Sequence, residues 1–442
     1  VLIRVRSLFR DHISTGSKRG QKLSKRLITA ALLALAASPT WARVYYVSPS
    51  GNNANSGTSA SSAWRSINYA ISPSSPVAPG DEIQIAAGVY RENVDIKKSG
   101  TASLPITLRG VGEVIVNDPS PSAGTGEGVV EVLSANNIVI DNLAVENAYF
   151  FGFVVRGANN VVLRNVRTYL TGASGIIVAT NKRSGVRSSN VKILNSEVQK
   201  SCYTFWKIGQ GGHEAISLAS VDGFEVGYTK VFDGKKEGIT AKGSVRNGNI
   251  HHNTVSSIAR AGIYVGGTGG DARNVSIANN LVYDNGHGIV VVNEGNGHTE
   301  AVTVTNNVVY SNAGRGIGVA PWGPGPDHDI NDVKIVNNTV TKNGTIGILM
   351  DNAEATNVLV RNNVSYQNAV RDQIKVVAGQ VVADRNLTTD PRFRNPSWSD
   401  YSLKSDSPAI DAGSSAYAPA MDYVGQRRPM GSGPDIGAYE VR

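Results

Sequence analysis

The chain is poor in several things at once. It has one cysteine, Cys202, so no intrachain disulfide can form even in an oxidising compartment, and that thiol reads as a small buried hydrophobe. Its 442 residues include only 3 methionines and 8 phenylalanines, which argues against a helical bundle. No run after Ala42 reaches the roughly 20 apolar residues of a membrane span. With 40% hydrophobic and 18% charged residues, the composition also excludes a disordered, collagen-like or coiled-coil chain. What is abundant is glycine, 48 residues, together with many asparagines, the mark of a turn-rich all-β architecture.

The formal charge of +8 suggests nucleic-acid binding until its location is considered. Residues 1–42 carry eight Lys/Arg (Arg4, Arg6, Arg10, Lys18, Arg19, Lys22, Lys25, Arg26) against Asp11, leaving 35 basic and 34 acidic residues in the rest. Basic residues ending at Arg26, an apolar run from Leu27 to Ala37 and the small-residue site Thr40-Trp41-Ala42 read as a secretory signal peptide over 1–42. The opening at Val1 fits either a long n-region or an upstream start. The mature chain from Arg43 is expected to be secreted or periplasmic, in a bacterial context, without nucleic acid or membrane span as partner.

One pattern recurs: two apolar residues spaced by two, a polar turn holding Asn, then more apolar residues, as in Val275-Ser-Ile277-Ala-Asn279-Asn280-Leu-Val282. The second apolar residue marks nine units at Ile140, Leu163, Ile193, Val226, Ile250, Ile277, Val304, Ile335 and Val360. A second strand, usually Gly-Ile-x-apolar, follows 13 residues later in six of the nine. Short period-two strands repeated at intervals of 23 to 33 residues predict a solenoid, and the fit is a right-handed parallel β-helix of about nine or more coils. Asn253, Asn280, Asn307, Asn338 and Asn363 are expected to form a ladder at one bend. The organisation expected is an N-terminal cap with the first coils over 43–130, repeats and groove over 131–385, and a capping segment over 386–442. Insertions at 179–190, 201–213, 266–274 and 320–332 would wall a binding face.

Aligning the Gly-Ile strands as rungs lets chemistry be sought in columns. Charged and polar residues converge on coils three to five: His213, Glu214, Ser217, Lys236, Glu237, Thr240, Lys242, Arg260 and Tyr264. Two stacked glutamates repel unless a cation, a proton or basic neighbours compensate them. A structural ion ladder is one reading of this cluster; an active site is the other. The glycine-rich run Gly266–Asp271 has no helix to follow it, so a phosphate loop is excluded by context. His251 and His252 fall at a turn and read as structural.

The segments Val44–Gly51, Trp64–Ala70 and Pro79–Tyr90 resemble the N-terminal cap of secreted β-helix polysaccharide-active proteins, nearest to the family 9 pectate lyases and the chondroitinase B/alginate lyase family. Asp390-Pro391, Asp400–Leu403, Ser407–Asp411 and Asp435–Glu440 are similar to a C-terminal segment of exported bacterial β-helix proteins. The resemblance implies an exported lyase that cleaves an acidic, uronate-containing polysaccharide by β-elimination. Elimination needs a cation to neutralise the carboxylate, a base for the C5 proton and an acid for the leaving oxygen. Lys242 resembles the strand lysine that serves as base, with Arg260 assisting and Glu237 and Glu214 beside them as catalytic acids. The same family binds calcium through neighbouring acids, here Glu214, Asp233 and Glu237, although Thr240 stands where the pectate lyases tend to add another Asp. His213, Lys236, Tyr264, Arg315 and Trp322 are the expected substrate-binding residues, and the protein is expected to act as a monomer. Three alternatives stay open: a glycoside hydrolase using Glu214 and Glu237 as a retaining pair, a uronate epimerase, and a surface protein that only binds glycans.

Overall fold

The computed structural model describes residues 42–120, 128–205, 213–323, 327–371 and 373–441. The leader expected over 1–42 lies, apart from Ala42, outside them. Residues Arg43–Arg442 form one unit, and among the described residues no helix is long and apolar enough to cross a membrane.

Successive turns of chain stack into a parallel β-helix. Every marker strand pairs in parallel with its counterpart one coil away, so that Ile193 lies beside Leu163 and Val226, and Ile250 beside Val226 and Ile277. The Gly-Ile strands form a separate parallel sheet of eleven strands, from Val94–Ile96 to Ile374–Val376. Its register is the one the spacing predicts: Ile216 pairs with Ile176 and Ile239, and Ile263 with Ile239 and Ile289. Two of these strands, Val94–Ile96 and Gly128–Leu133, precede the nine marked coils, because the first coils lack the Asn turn that marks the others.

Alternation decides what faces in. Ile176, Ile216, Ile239, Ile263, Ile289, Ile317 and Ile348 are all wholly buried and stack one per coil in the core. The expected asparagine ladder is present. The Asn307 amide donates to the Ile277 carbonyl at 2.9 Å and to Asn338 Oδ1 at 3.0 Å, while its own Oδ1 accepts from the backbone and side-chain nitrogens of Asn280, both at 2.9 Å. A second ladder, not foreseen, runs through Asn285, Asn312, Asn343 and Asn368 at the next bend. Both satisfy backbone groups that the corner turns away from the sheets.

The N-terminal segment adds the helix Ile67–Ile71, capped by the Ser66 side chain and by Glu92, whose carboxylate accepts from the backbone nitrogens of Ile67 and Asn68. Its Ile67, Ala70 and Ile71 enter the main core. The C-terminal tail lies against the flank of the coils: Asn306 Nδ2 donates to the Met421 carbonyl at 2.7 Å, Asn337 Nδ2 to that of Asp435 at 2.8 Å. There Arg428 is fully buried and holds Glu440 at 2.8 Å. Val376, Val377 and Val382, on or beside the last strands, remain exposed.

Replacing Asn307 by alanine removes the acceptor of the Asn280 backbone nitrogen and the side-chain donor to the Ile277 carbonyl, while Asn280 Nδ2 keeps the Ile250 and Ala278 carbonyls. At roughly 1–3 kcal/mol for each of the two groups, the variant is expected to lose at least about 2 kcal/mol of unfolding free energy in denaturant titration. A loss under about half a kilocalorie, within the range of an ordinary surface substitution, would deny the ladder its role.

Candidate functional site

The site lies on the outer face of the eleven-stranded sheet. Strand alternation turns Ser217, Thr240 and Tyr264 outward on neighbouring coils, in direct register, with Ala219, Lys242 and Gly266 two residues on. Outward does not mean exposed here: Ser217, Thr240 and Tyr264 are nearly inaccessible.

Glu214 and Glu237 sit just ahead of adjacent strands. Glu214 is buried, one carboxylate oxygen held by the Lys242 ammonium and the other accepting from Ser217 Oγ at 2.8 Å. Burial would raise its pKa, but the ammonium and the hydroxyl outweigh that and hold it below the usual carboxylate range. By the same contact Lys242 keeps its proton above its ordinary value despite burial. Glu237 behaves oppositely. Burial and the neighbouring Glu214 charge raise its pKa, against Arg260, whose guanidinium lies 3.4 Å away. The stacked acids are thus set apart: Glu214 is held by a tight cation and a hydroxyl, Glu237 by a longer contact to a guanidinium, with its pKa raised.

His213 is half-buried, 5.6 Å from the Phe151 ring centroid. Burial, together with the charges of Lys242, Lys236 and Lys182, lowers its pKa below 6.5 against the opposing pull of Glu214, so the imidazole is neutral at pH 7. Lys236 is buried alongside. On the far side the Tyr264 hydroxyl donates to Glu294, and Trp322 closes over this face, 6.2 Å from Tyr264 and 5.5 Å from His287. The Arg315 guanidinium packs 5.6 Å from the Trp322 ring and is itself fixed by Asp351 at 3.2 Å.

The structure therefore brings together Glu214, Glu237, Lys242, Arg260, His213, Lys236 and Tyr264, with Trp322 and Arg315 at one end. It does not bring in Asp233, whose carboxylate accepts from the Tyr203 hydroxyl at 2.6 Å. The expectation of calcium does not fit this arrangement: both oxygens of Glu214 are taken, Glu237 faces a guanidinium, and among the described residues no three His, Cys, Asp or Glu side chains converge as a metal site. A hard cation with six to eight oxygen ligands has no donor set here. Cys202 is buried, as expected, which raises its pKa far from reactivity.

Sequence reasoning missed Glu294, Asp351 and the floor of a cleft beside His213. That cleft, about 610 Å³, is lined by Phe150, Phe151, Arg156, Lys182, Arg183 and Glu131, among others. Arg156 pairs with Glu131 at 2.9 Å. The only advance signal was the basic insertion at 179–190.

A sequence profile for right-handed beta helix regions matches residues 187–365. The helix is right-handed. The curated "Uncharacterized protein YwoF" of Bacillus subtilis (strain 168) is 26% identical over 211 residues, 44% of this chain and 42% of that protein, so the match spans under half the length of either. Among solved structures, pectate lyase Pel9A superposes with a TM-score of 0.61 at 18% identity, covering 91% of this chain and 97% of that one. The GH136 lacto-N-biosidase from Eubacterium ramulus gives 0.51 at 13% identity, covering 83% and 70%. At these identities the likeness is one of fold.

Since Glu214 holds the Lys242 proton, Glu214→Gln is expected to lower the lysine pKa and raise its rate of acylation by an amine-reactive reagent at mildly alkaline pH. Peptide mass spectrometry of Lys242 against Lys97 as internal reference reads this directly. An unchanged ratio would mean the contact does not set the lysine's charge.

Proposed function

We propose that this protein is an exported enzyme that cleaves an acidic, uronate-containing polysaccharide by β-elimination. The observation that carries the reading is a layering of charge: Lys242 and Arg260 reach the surface above acids that are more deeply buried, beside an imidazole that is neutral at pH 7. Such a face attracts an anionic chain and supplies a base. The pectate lyase and lacto-N-biosidase likenesses add that this fold serves enzymes acting on carbohydrate chains.

The resemblance to lyases cast Lys242 as base. Its raised pKa and its ion pair with Glu214 favour a different assignment. The ammonium, with Arg260, neutralises the substrate carboxylate and so acidifies the C5 proton. His213 takes that proton; the electron pair forms the C4–C5 double bond as the C4–O bond breaks. Glu237, whose pKa is raised, returns a proton to the leaving oxygen. No metal ion enters this scheme.

One observation favours a second reading. Glu214 and Glu237, on adjacent coils, have pKa values pushed in opposite directions, the signature of a nucleophile and an acid. Against it, the would-be nucleophile is buried with both oxygens engaged.

The protein incubated with a panel of acidic and neutral polysaccharides is expected to generate the ultraviolet absorbance of an unsaturated sugar end from acidic substrates only, unaffected by chelators. His213→Gln should lower kcat by about a hundredfold or more, and Lys242→Met should abolish turnover of acidic chains. Because His213 must be unprotonated and its pKa is depressed, wild-type activity should persist at pH 6.5, with the acid-side loss coming below that pH. Reducing ends without absorbance, lost in Glu237→Gln, would establish hydrolysis instead. Silence in both channels would leave a glycan-binding protein.

A further inference from the structure

The cleft beside His213 is not needed for the chemistry just described, yet it is built from the same sheet. Its floor is aromatic: Phe151 stands edge-on to Phe150 at 4.4 Å, and Phe150 packs on Phe205 at 4.7 Å. Its rim is cationic, with Arg156, Lys182 and Arg183 against the single carboxylate of Glu131, which Arg156 already neutralises.

The loop that brings the two exposed cations is held in place by its own hydrogen bonds. The Asn181 carbonyl accepts from Gly185 N at 2.8 Å, its backbone N–H donates to the Val186 carbonyl at 2.8 Å, and its side chain reaches across the Gly157 coil to donate to Ser134 Oγ, two coils back, at 2.9 Å. Gly157, at φ 61°, lets this loop approach: a β-carbon there would lie 2.7 Å from that of Asn181. Lys182 and Arg183 are therefore presented over the cleft by a braced turn, and Lys182 is close enough to His213 to lower its pKa.

We infer that this cleft is the subsite for an acidic sugar unit adjoining the cleaved linkage, and that Lys182 and Arg183 select for its carboxylate. The inference rests on the proposed function, in which the polymer crosses the sheet at His213. A pyranose ring has an apolar C–H face that suits the phenylalanine floor, and a uronate adds the anion that suits the rim. Strands lie about 4.8 Å apart along the axis, so a chain running from His213 over the strands Ile176–Ala179 and Phe151–Arg156 meets the cleft next.

Calorimetric titration tests this without requiring turnover. The probes are trigalacturonate, its carboxyl-reduced neutral counterpart, and a sulfated neutral trisaccharide. Wild type should bind trigalacturonate best, and the double variant Lys182→Glu/Arg183→Glu should weaken that binding by about tenfold or more, with a shallower salt dependence. Its weak affinity for the neutral trimer and its melting temperature should not move, and Lys182→Arg/Arg183→Lys should restore binding. Equal affinity for acidic and neutral trimers, no binding of any, or no effect of the charge reversal would overturn the assignment; tighter binding of the sulfated trimer would reassign the anion. Charge-dependent binding without cleavage would sink the proposed chemistry and leave Lys182 and Arg183 as carboxylate-selecting residues of a binding cleft, whereas cleavage unaffected by the charge reversal would overturn the subsite alone.

Discussion

Everything in this molecule follows from one constraint: each residue's nearest neighbour across the sheet is its counterpart one coil away, about 4.8 Å distant. Identical side chains must therefore tolerate being stacked. Isoleucine does, filling the core as a continuous column, and asparagine does, because its amide donates to the next copy and accepts from the previous one. Carboxylates do not. A column that places Glu214 beside Glu237 violates the stacking rule, and the solenoid accommodates it only where Lys242 and Arg260 are set within reach. The violation of the repeat and the candidate site are the same place.

That accommodation shapes the chemistry. A buried carboxylate paired with an ammonium is weak evidence for stability, since desolvation opposes the attraction. What the pair does provide is orientation. Glu214, fixed by Ser217 from below, anchors the lysine head at one point of the outer face, and leaves Glu237 with the less favourable position and the higher pKa. Two chemically identical residues thereby acquire different protonation behaviour from one coil of displacement. His213 is held below its ordinary pKa first by burial and then by the same crowd of cations.

The repeat was legible because periodicity is a property of the chain itself. All nine Gly-Ile strands fell into the register that spacing predicts, and the first asparagine ladder was read correctly from its turns. The second ladder is equally legible, since Asn285, Asn312, Asn343 and Asn368 each follow a first-ladder asparagine by five residues. The columns likewise found Glu214, Glu237, Lys242 and Arg260. What escaped lies outside the period. Glu294 reaches Tyr264 from the end of its strand, Asp351 reaches Arg315 from beyond its strand, and the cleft owes its rim to an insertion whose closure depends on Asn181 and Gly157. Asp233 was misplaced for a related reason: its left-handed backbone, φ 56°, sits at a corner rather than on the face.

The two ends of the strip are not equivalent, and the difference has a structural cause. Toward the N-terminus the outer face carries Phe151, Ile177 and Arg156, and a long basic insertion projects over them. Toward the C-terminus the outward residues are Val290 and Val292, which Trp322 covers from the next insertion with Arg315 behind it. One side is open and cationic, the other closed and aromatic. A polymer lying along the axis would meet charge recognition on one side of His213 and Lys242 and an aromatic wall on the other. The proposed polymer would then have its two directions distinguished by the protein, although each coil beneath is built to the same plan.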